Sequence, residues 1–394
     1  MNPSLPDIQR RPTRAVRVGP LTIGGGAPVT VQSMTNTPTA DAAATITQVR
    51  SLADAGADLV RVAVPTPADT AALRAIVRES PVPIVADVHF HFDRALEAIA
   101  AGVAKIRLNP GNLRDREQVR RVIAAAAAAG VAIRVGVNEG SIPGRRRSEA
   151  AAAPAGENRG QAPFSNDNDE KGASPHFRQP HFRPPPLDEL MADKLDEYLA
   201  LFREMNFHNL VLSAKSHDAF TCVAAYRRLA ARFDYPLHLG VTHAGTRDTA
   251  AIRSAAALGA LLAEGIGDTI RLSYAGDPTD EVRHGLELLY SLRLRPRRGI
   301  EWIACPTCGR LQMDLTPVLD QLRTALADVT EPITVAVMGC VVNGPGEAES
   351  ADVAICAGKG KAVLYRRGQV VRTLKPEEIV PAVVAEVRQL QHKA

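Results

Sequence analysis

Between residues 29 and 275 the chain repeats one pattern. A short apolar run rich in Val, Ile and Leu is followed by a turn, then by a stretch with apolar positions at helical spacing. The runs are VTVQSM (29–34), LVRVAV (59–64), PIVADV (83–88), KIRLNP (105–110), AIRVGV (132–137), NLVLSAKS (209–216), LHLGVTH (237–243) and TIRLSY (269–274). Between them lie segments such as DAAATITQVRSLADAG (41–56) and AAIRSAAALGALLAEG (250–265). Both end on Gly, as helix C-termini prefer. Eight short buried strands alternating with helices predict a parallel sheet, and eight such units predict a closed (β/α)8 barrel of TIM type. An open doubly wound sheet is the alternative. It usually has fewer units and often carries a Gly-rich nucleotide fingerprint after its first strand, which this sequence lacks.

Two regions depart from the rhythm. Residues 144–186 are rich in Pro, Gly, Asn and Ala with almost no apolar periodicity, so a low-complexity insertion is expected where the fifth strand-to-helix connection falls. Its tandem PHFRQPHFRPPP offers His176 and His181 as metal ligands, but that composition favours a solvated linker. After about residue 298 the repeat stops. RPRRGIEWIACPTCGR leads into a helix (315–328), the strand ITVAVMGC (333–340), a Gly-Pro-Gly turn, three further strands, and a last helix from near Pro376. The expected division is a barrel over 1–297 and a small α/β domain over 298–394 that carries four of the five cysteines.

Composition narrows the function classes. At 394 residues two domains are expected, and the 45% hydrophobic fraction supports sizeable cores. No stretch approaches eighteen consecutive apolar residues, so no membrane span is expected. The basic N-terminus has no apolar core, so no signal peptide is expected either. A net charge of +4 is too mild to suggest a nucleic-acid binder, although it suits an anionic small substrate. Five cysteines, an odd number, argue against a disulfide framework and for a reduced, cytoplasmic protein in which clustered cysteines hold metal.

The strands carry charges that ordinary barrel strands do not. Arg61, Arg107, Arg134 and Arg271 each interrupt an apolar run, and Lys215 does the same in the sixth. Arginine is rarely buried without a partner. Near the same strand ends stand Asp87, His89, Asn109, Asn138, Ser216, His238, Thr242, His243 and Ser273. Barrel active sites form at the C-terminal mouth, and a ring of cations there suits a doubly charged or diphosphate substrate. Pairing with carboxylates inside the barrel is the competing explanation, but the strands offer only Asp87 against five cations. Lys215 also permits a Schiff-base lyase or aldolase if burial lowers its pKa.

CPTC sets Cys305 and Cys308 two residues apart, so both thiolates can reach one metal centre. Cys340 follows thirty-two residues later, and Glu347 seven beyond that, across the Gly-Pro-Gly turn. Spacing alone leaves open a zinc site completed by Cys356 and an iron–sulfur cluster. Cys356 and Cys222 both sit in patterns that suggest core. Three thiolates and one carboxylate suit a 4Fe–4S cluster whose fourth iron has an exchangeable ligand, and the anion-binding barrel favours the same reading. The alternatives are a Schiff-base barrel enzyme using Lys215 with a zinc-stapled second domain, and a non-enzymatic zinc-bearing module.

The motifs VQSMTNT, VADVHF, IRLNPGN, IRVGVNEGS, HLGVT, GIGDTIRLS, CPTCGR and MGCVVNGPGEA, in this order, resemble the 4-hydroxy-3-methylbut-2-enyl diphosphate synthase family of iron–sulfur enzymes. The resemblance covers nearly the whole chain. It implies a barrel joined to a reductase-like domain holding a 4Fe–4S cluster on Cys305, Cys308, Cys340 and Glu347. It further implies two-electron reductive opening and dehydroxylation of 2-C-methyl-D-erythritol 2,4-cyclodiphosphate, with ferredoxin or flavodoxin as donor. A homodimer is implied in which one subunit's cluster domain closes over the other's barrel mouth. The family's substrate-binding positions fall on Arg61, Asp87, His89, Arg107, Asn109, Arg134, Asn138, Lys215, His238, Arg271 and Ser273. One departure concerns the proton donor: where the family pattern has Thr-Glu-Ala-Gly, this chain has THAG, with His243 in the acid's place. A histidine can also deliver a proton near neutral pH. The insertion at 144–186 is the other departure.

Overall fold

The computed structural model describes residues 7–88, 91–109, 115–142, 185–340, 342 and 344–391. His89, His176, His181 and nearly all of the 144–186 insertion lie outside the described residues. The chain divides into two compact units, Met1–Arg295 and Pro296–Ala394.

The first unit opens with an antiparallel hairpin, β1 (Val16–Val18) and β2 (Leu21–Ile23). Eight parallel strands follow: β3 (Thr30–Met34), β4 (Leu59–Ala63), β5 (Ile84–Asp87), β6 (Lys105–Leu108), β7 (Ala132–Asn138), β8 (Leu210–Lys215), β9 (His238–Leu239) and β10 (Thr269–Ile270). Their order is β8-β7-β6-β5-β4-β3-β10-β9, and a parallel bridge between Leu212 and Leu237 brings the two edges together. The expected (β/α)8 barrel is therefore the fold.

Local chemistry sets the helices that return the chain between strands. In α1 (Ala42–Asp54) the Asp41 carboxylate accepts from the Ala44 amide, and α2 (Pro67–Glu79) starts on a Thr66/Asp69 capping box with proline at its first position. Next come α3 (Phe92–Ala100) and α4 (Arg116–Ala129), the latter capped by Asp115 and ended by Gly130 at φ +67°. After the insertion come α5 (Leu187–Glu204), α6 (Ala219–Arg232), α7 (Arg247–Ala263) and α8 (Pro278–Ser291). Outward strand residues such as Val60, Ile106, Val135 and Leu212 pack against these helices in one continuous core. Inward residues divide by depth. At the N-terminal end Leu59, Val85, Ala132 and Val211 pack with Val16, Val18 and Ile23 of the hairpin, which closes that end. Towards the other end the interior turns polar.

β9 and β10 are shorter than their apolar runs suggested, at two residues each. Beyond them pairing is sparse: Arg271 N–H donates to the Leu239 carbonyl at 3.0 Å, Thr242 N–H to the Ser216 carbonyl at 3.0 Å, and Thr246 and Ala275 form an isolated parallel bridge. Gly240, directly after β9, leaves no room for a side chain: a Cβ would come within 2.5 Å of Lys215 Nζ and 2.9 Å of the Arg271 carbonyl oxygen.

The second unit is a mixed five-stranded sheet, β11 (Ile300–Ala304), β12 (Ile333–Met338), β13 (Val353–Gly358), β14 (Lys361–Arg366) and β15 (Gln369–Leu374), in that order. The first three run parallel and the rest antiparallel. Helices α9 (Thr316–Ala325), α10 (Gly344–Ser350) and α11 (Ile379–Gln391) complete it. α9 is shorter than the expected 315–328. The Gly-Pro-Gly segment is not a free turn but the first turn of α10. Proline is tolerated there because its missing N–H has no partner in a first turn.

Candidate active site

Strand alternation points Lys105 and Arg107 of β6, Arg134 of β7 and Lys215 of β8 to the barrel interior, with Arg61 from β4, His238 from β9 and Arg271 just past β10. Registers align the first of these: Asp87 pairs with Arg107 and Arg107 with Arg134. Lys105, Arg107, Arg134, Lys215 and His238 are all buried. Asp87, also buried, is shared, 3.4 Å from an Arg107 nitrogen and 3.7 Å from Arg61 Nε. Arg61 also donates to Met34 Sδ at 3.0 Å.

A second acid comes from a helix, not a strand. Glu281 of α8 lies 3.3 Å from Arg271 and accepts from Ser33 Oγ at 3.0 Å and the Tyr274 amide at 3.1 Å. Arg271 is thus paired, a correction to the expectation that Asp87 alone answers the cations. Among the described residues two carboxylates, Asp87 and Glu281, pair among these six basic side chains. Arg134 Nε and one of its terminal nitrogens, Lys105 Nζ and His238 Nε2 are buried without a hydrogen-bond partner among the described residues. Buried polar groups normally find partners, so a cluster of such atoms marks a place prepared for something anionic.

The charges crowd one another. Burial, then the Arg134 and Arg61 guanidiniums, pull the Lys105 and Lys215 amines well below the ordinary lysine value. Burial, then Arg134 and Lys215, holds the His238 imidazole well below its usual pKa, so it is neutral at pH 7. Arg271 is pushed down to about 10 by burial and Arg61, against the pull of Glu281.

Around this interior Asn109 is buried and Asn138 half-buried, with the Asn138 amide donating to Ser141 Oγ at 3.2 Å. Ser273 donates to the Val241 carbonyl at 3.0 Å. Ser216 donates to Glu139, which also accepts from His217. His243 is exposed on the loop after β9, with its backbone in the left-handed region at φ +51°.

In the second unit, parallel pairing sets Ala304 beside Val337. Cys305 therefore leaves β11, and Cys340 leaves β12, at neighbouring strand ends. The Cys305 amide donates to the Val337 carbonyl at 3.0 Å, and Gln312 ties the CPTC loop to Gly339 at 2.8 Å. Cys305, Cys308, Cys340 and Glu347 line one cavity of about 140 Å³ with Met338, Arg310 and Gly344. Cys340 is buried, Cys305 half-buried and Cys308 exposed. The Arg310 amide donates to the Cys308 sulfur and lowers its pKa towards the thiolate. Thr307, between Pro306 and Cys308, is held at φ +51°, costly for a β-branched residue.

Cys356 lies under this cavity and is not among the residues lining it. It pairs in register with Met338, and a Cβ on Gly344 would come within 2.6 Å of its sulfur. Burial raises its pKa to about 11. Both Cys356 and Cys222 are buried. Among the described residues no three His, Cys, Asp or Glu side chains converge closely enough to hold a single metal ion. A zinc ion needs four donors about 2.0–2.3 Å from one point. The three thiolates and one carboxylate instead ring a cavity several times the ~30 Å³ share of a water molecule. That donor set and space fit a group of several metal atoms, each taking one ligand, better than one ion.

Fold and site together define a barrel enzyme with a cationic interior and a separate thiolate-lined unit. The chain belongs to the GcpE family: the GcpE TIM-barrel domain matches residues 13–286 and the GcpE protein C-terminal domain matches residues 301–389. It is similar to proteins named 4-hydroxy-3-methylbut-2-en-1-yl diphosphate synthase (flavodoxin). The relative from Geobacter sulfurreducens is 43% identical over 96% of this chain and 98% of its own length. That from Symbiobacterium thermophilum is 44% identical over 97% and 94%, and that from Bifidobacterium longum 43% over 95% and 85%. The resemblance read from the motifs is borne out. Among solved structures, a Yersinia pestis dihydropteroate synthase aligns with a TM-score of 0.45 at 14% identity, over 71% of this chain and 97% of that one.

Three features of the site escaped sequence reasoning. Lys105 opens its strand and reads as a solvent-facing edge. Glu281 reads as an acid favoured in a first helical turn. The hairpin is too short for a periodic signal. The isolated lysine at the start of KIRLNP was the one available clue to the first.

Proposed function

We infer that the chain reductively opens and dehydroxylates 2-C-methyl-D-erythritol 2,4-cyclodiphosphate to 4-hydroxy-3-methylbut-2-enyl diphosphate. Two electrons enter, the ring C–O bond to phosphate and the C–OH bond break, a double bond forms, and the hydroxyl leaves as water with a proton. The observation that carries this reading is the cavity lined by Cys305, Cys308, Cys340 and Glu347 in a chain whose barrel gathers six basic side chains around two acids.

In the barrel, Arg61, Arg107, Arg134, Lys215 and Arg271 hold the diphosphate. Arg134 has the most to give, since its orphan donors gain partners only when an anion is present. Asp87, His89, Asn109, Asn138, His238 and Ser273 orient the carbon skeleton and its hydroxyls. Neutral His238 can accept a hydrogen bond without adding charge. His243 supplies the proton that leaves with the hydroxyl. In the second unit the three cysteines and Glu347 would hold a 4Fe–4S cluster, with Glu347 as its exchangeable ligand; the group would supply single electrons and Lewis acidity. The enzyme works in the cytoplasm as a homodimer, with flavodoxin or ferredoxin as donor. Among the described residues no helix is long and apolar enough to cross a membrane.

Lys215, buried and low in pKa, is the feature a Schiff-base enzyme would use. The deciding assay incubates anaerobically purified protein with the cyclic diphosphate and reduced flavodoxin. Formation of the linear diphosphate is expected. Cyclic diphosphate recovered unchanged, while Lys215 is trapped by borohydride on an aldehyde or ketone supplied instead, would overturn the reading.

A further inference from the structure

Lys105 is the basic group that the substrate positions leave unused. It is fully buried, and its Nζ has no hydrogen-bond partner among the described residues. It sits on the same face of β6 as Arg107 but two residues deeper, in register with Ala132 and Val85. The titratable groups that act on it or feel it are Arg134 from β7, Arg61 from β4 and His238 from β9. Asp87 is occupied between Arg61 and Arg107, and Glu281 by Arg271. The charges that act on Lys105 most are Arg134 and Arg61, both cations, and Lys105 in turn acts on His238.

An amine that met only cations would gain nothing from being charged. As a passive filler it would be better replaced by an apolar side chain of similar length. An arriving diphosphate reverses the sign of the field around it, and a proton on Nζ then becomes favourable. We propose that Lys105 is a positioning residue of the anion site, an amine below Arg107 and Arg134 that takes up a proton as the diphosphate binds. The proton comes from solvent and stays on Nζ, and no substrate bond changes in this step. Charge is thereby added beneath the oxyanions only when they are present, and the empty barrel is spared a further unpaired cation. This inference rests on the diphosphate reading above.

The test is calorimetric titration of the holoenzyme with the cyclic diphosphate at pH 8 in two buffers of different ionisation enthalpy, for wild type and Lys105→Met. Wild type is expected to take up protons on binding, and Lys105→Met about one fewer, with affinity down about tenfold. Steady-state KM should rise about tenfold while kcat changes less than about threefold. The ligand-free variant should melt no lower than wild type. Equal proton uptake and KM in the two proteins would overturn the inference and leave Lys105 a filler. Should the variant fail to fold, binding to wild type without proton uptake would overturn it equally. A wild type that does not bind the cyclic diphosphate overturns the functional reading and this inference with it.

Discussion

The two units solve opposite problems. In the barrel the chemical groups are buried on strands and fixed before any ligand arrives, so the fold bears the strain of gathering like charges. In the small unit Cys308 is exposed, Cys305 half-buried and Cys340 buried, and the donors ring a space without converging. One site is preorganised by packing. The other would be completed by the cluster proposed for it. Charge pre-placed in a dry interior is effective because it need not reorganise when the substrate binds, and a large closed barrel can bear its cost. Soft ligands on loops at strand ends need less support, since metal–ligand bonds supply it.

Substitutions should therefore fail differently in the two units. The largest effect is expected at Cys340: Cys340→Ser should abolish both the iron chromophore and turnover, a loss on the order of 1000-fold or more. Glu347→Ala should separate the two, keeping the chromophore while turnover falls about 100-fold; full activity would remove the carboxylate from the chemistry. In the barrel, Arg134→Met should lower kcat/KM for the cyclic diphosphate by about 100-fold without lowering thermal stability, because it removes a buried charge with few partners. A drop in melting temperature with unchanged kinetics would make Arg134 structural. His243→Ala should lower kcat about 10- to 100-fold if His243 delivers the proton, and an unaltered kcat would assign that role elsewhere.

Smaller effects probe packing. Gly240→Ala puts a Cβ 2.5 Å from Lys215 Nζ, so about 1–3 kcal/mol of stability should be lost and substrate should bind less well. The smallest concerns pH. His238 is neutral in the fold and its pKa lies well below the ordinary value, so the unfolded chain takes up a proton that the folded chain does not. Stability should fall as pH drops below about 6.5, by at most about 1.4 kcal/mol per pH unit from this group. His238→Asn should flatten that limb in denaturation curves recorded from pH 7 to 5.

The sequence was most legible where a local rule was broken. An arginine inside an apolar strand, or two cysteines at a metal spacing, needs no tertiary information to stand out. The barrel, its eight strands and Cys356 as core followed from alternation and spacing. What could not be read depends on distant parts of the chain meeting. Glu281 becomes Arg271's partner only because α8 lies against β3 and β10, and nothing within PTDEVRHG points there. Lys105 looks like a strand edge until the barrel closes over it. The apolar runs overextended β9 and β10, because where a ladder ends depends on neighbouring strands and not on the run itself. Gly-Pro-Gly read as a turn because both residue types favour turns, yet the first turn of a helix accepts them too.

The small unit's cavity is proposed to hold an iron–sulfur cluster on three thiolates and one carboxylate. The visible spectrum and metal content of the protein purified without oxygen test it most directly. A brown protein with broad absorption that bleaches on reduction, containing about four irons per chain, is the expected result. A colourless protein with one zinc per chain, active in air, would contradict it.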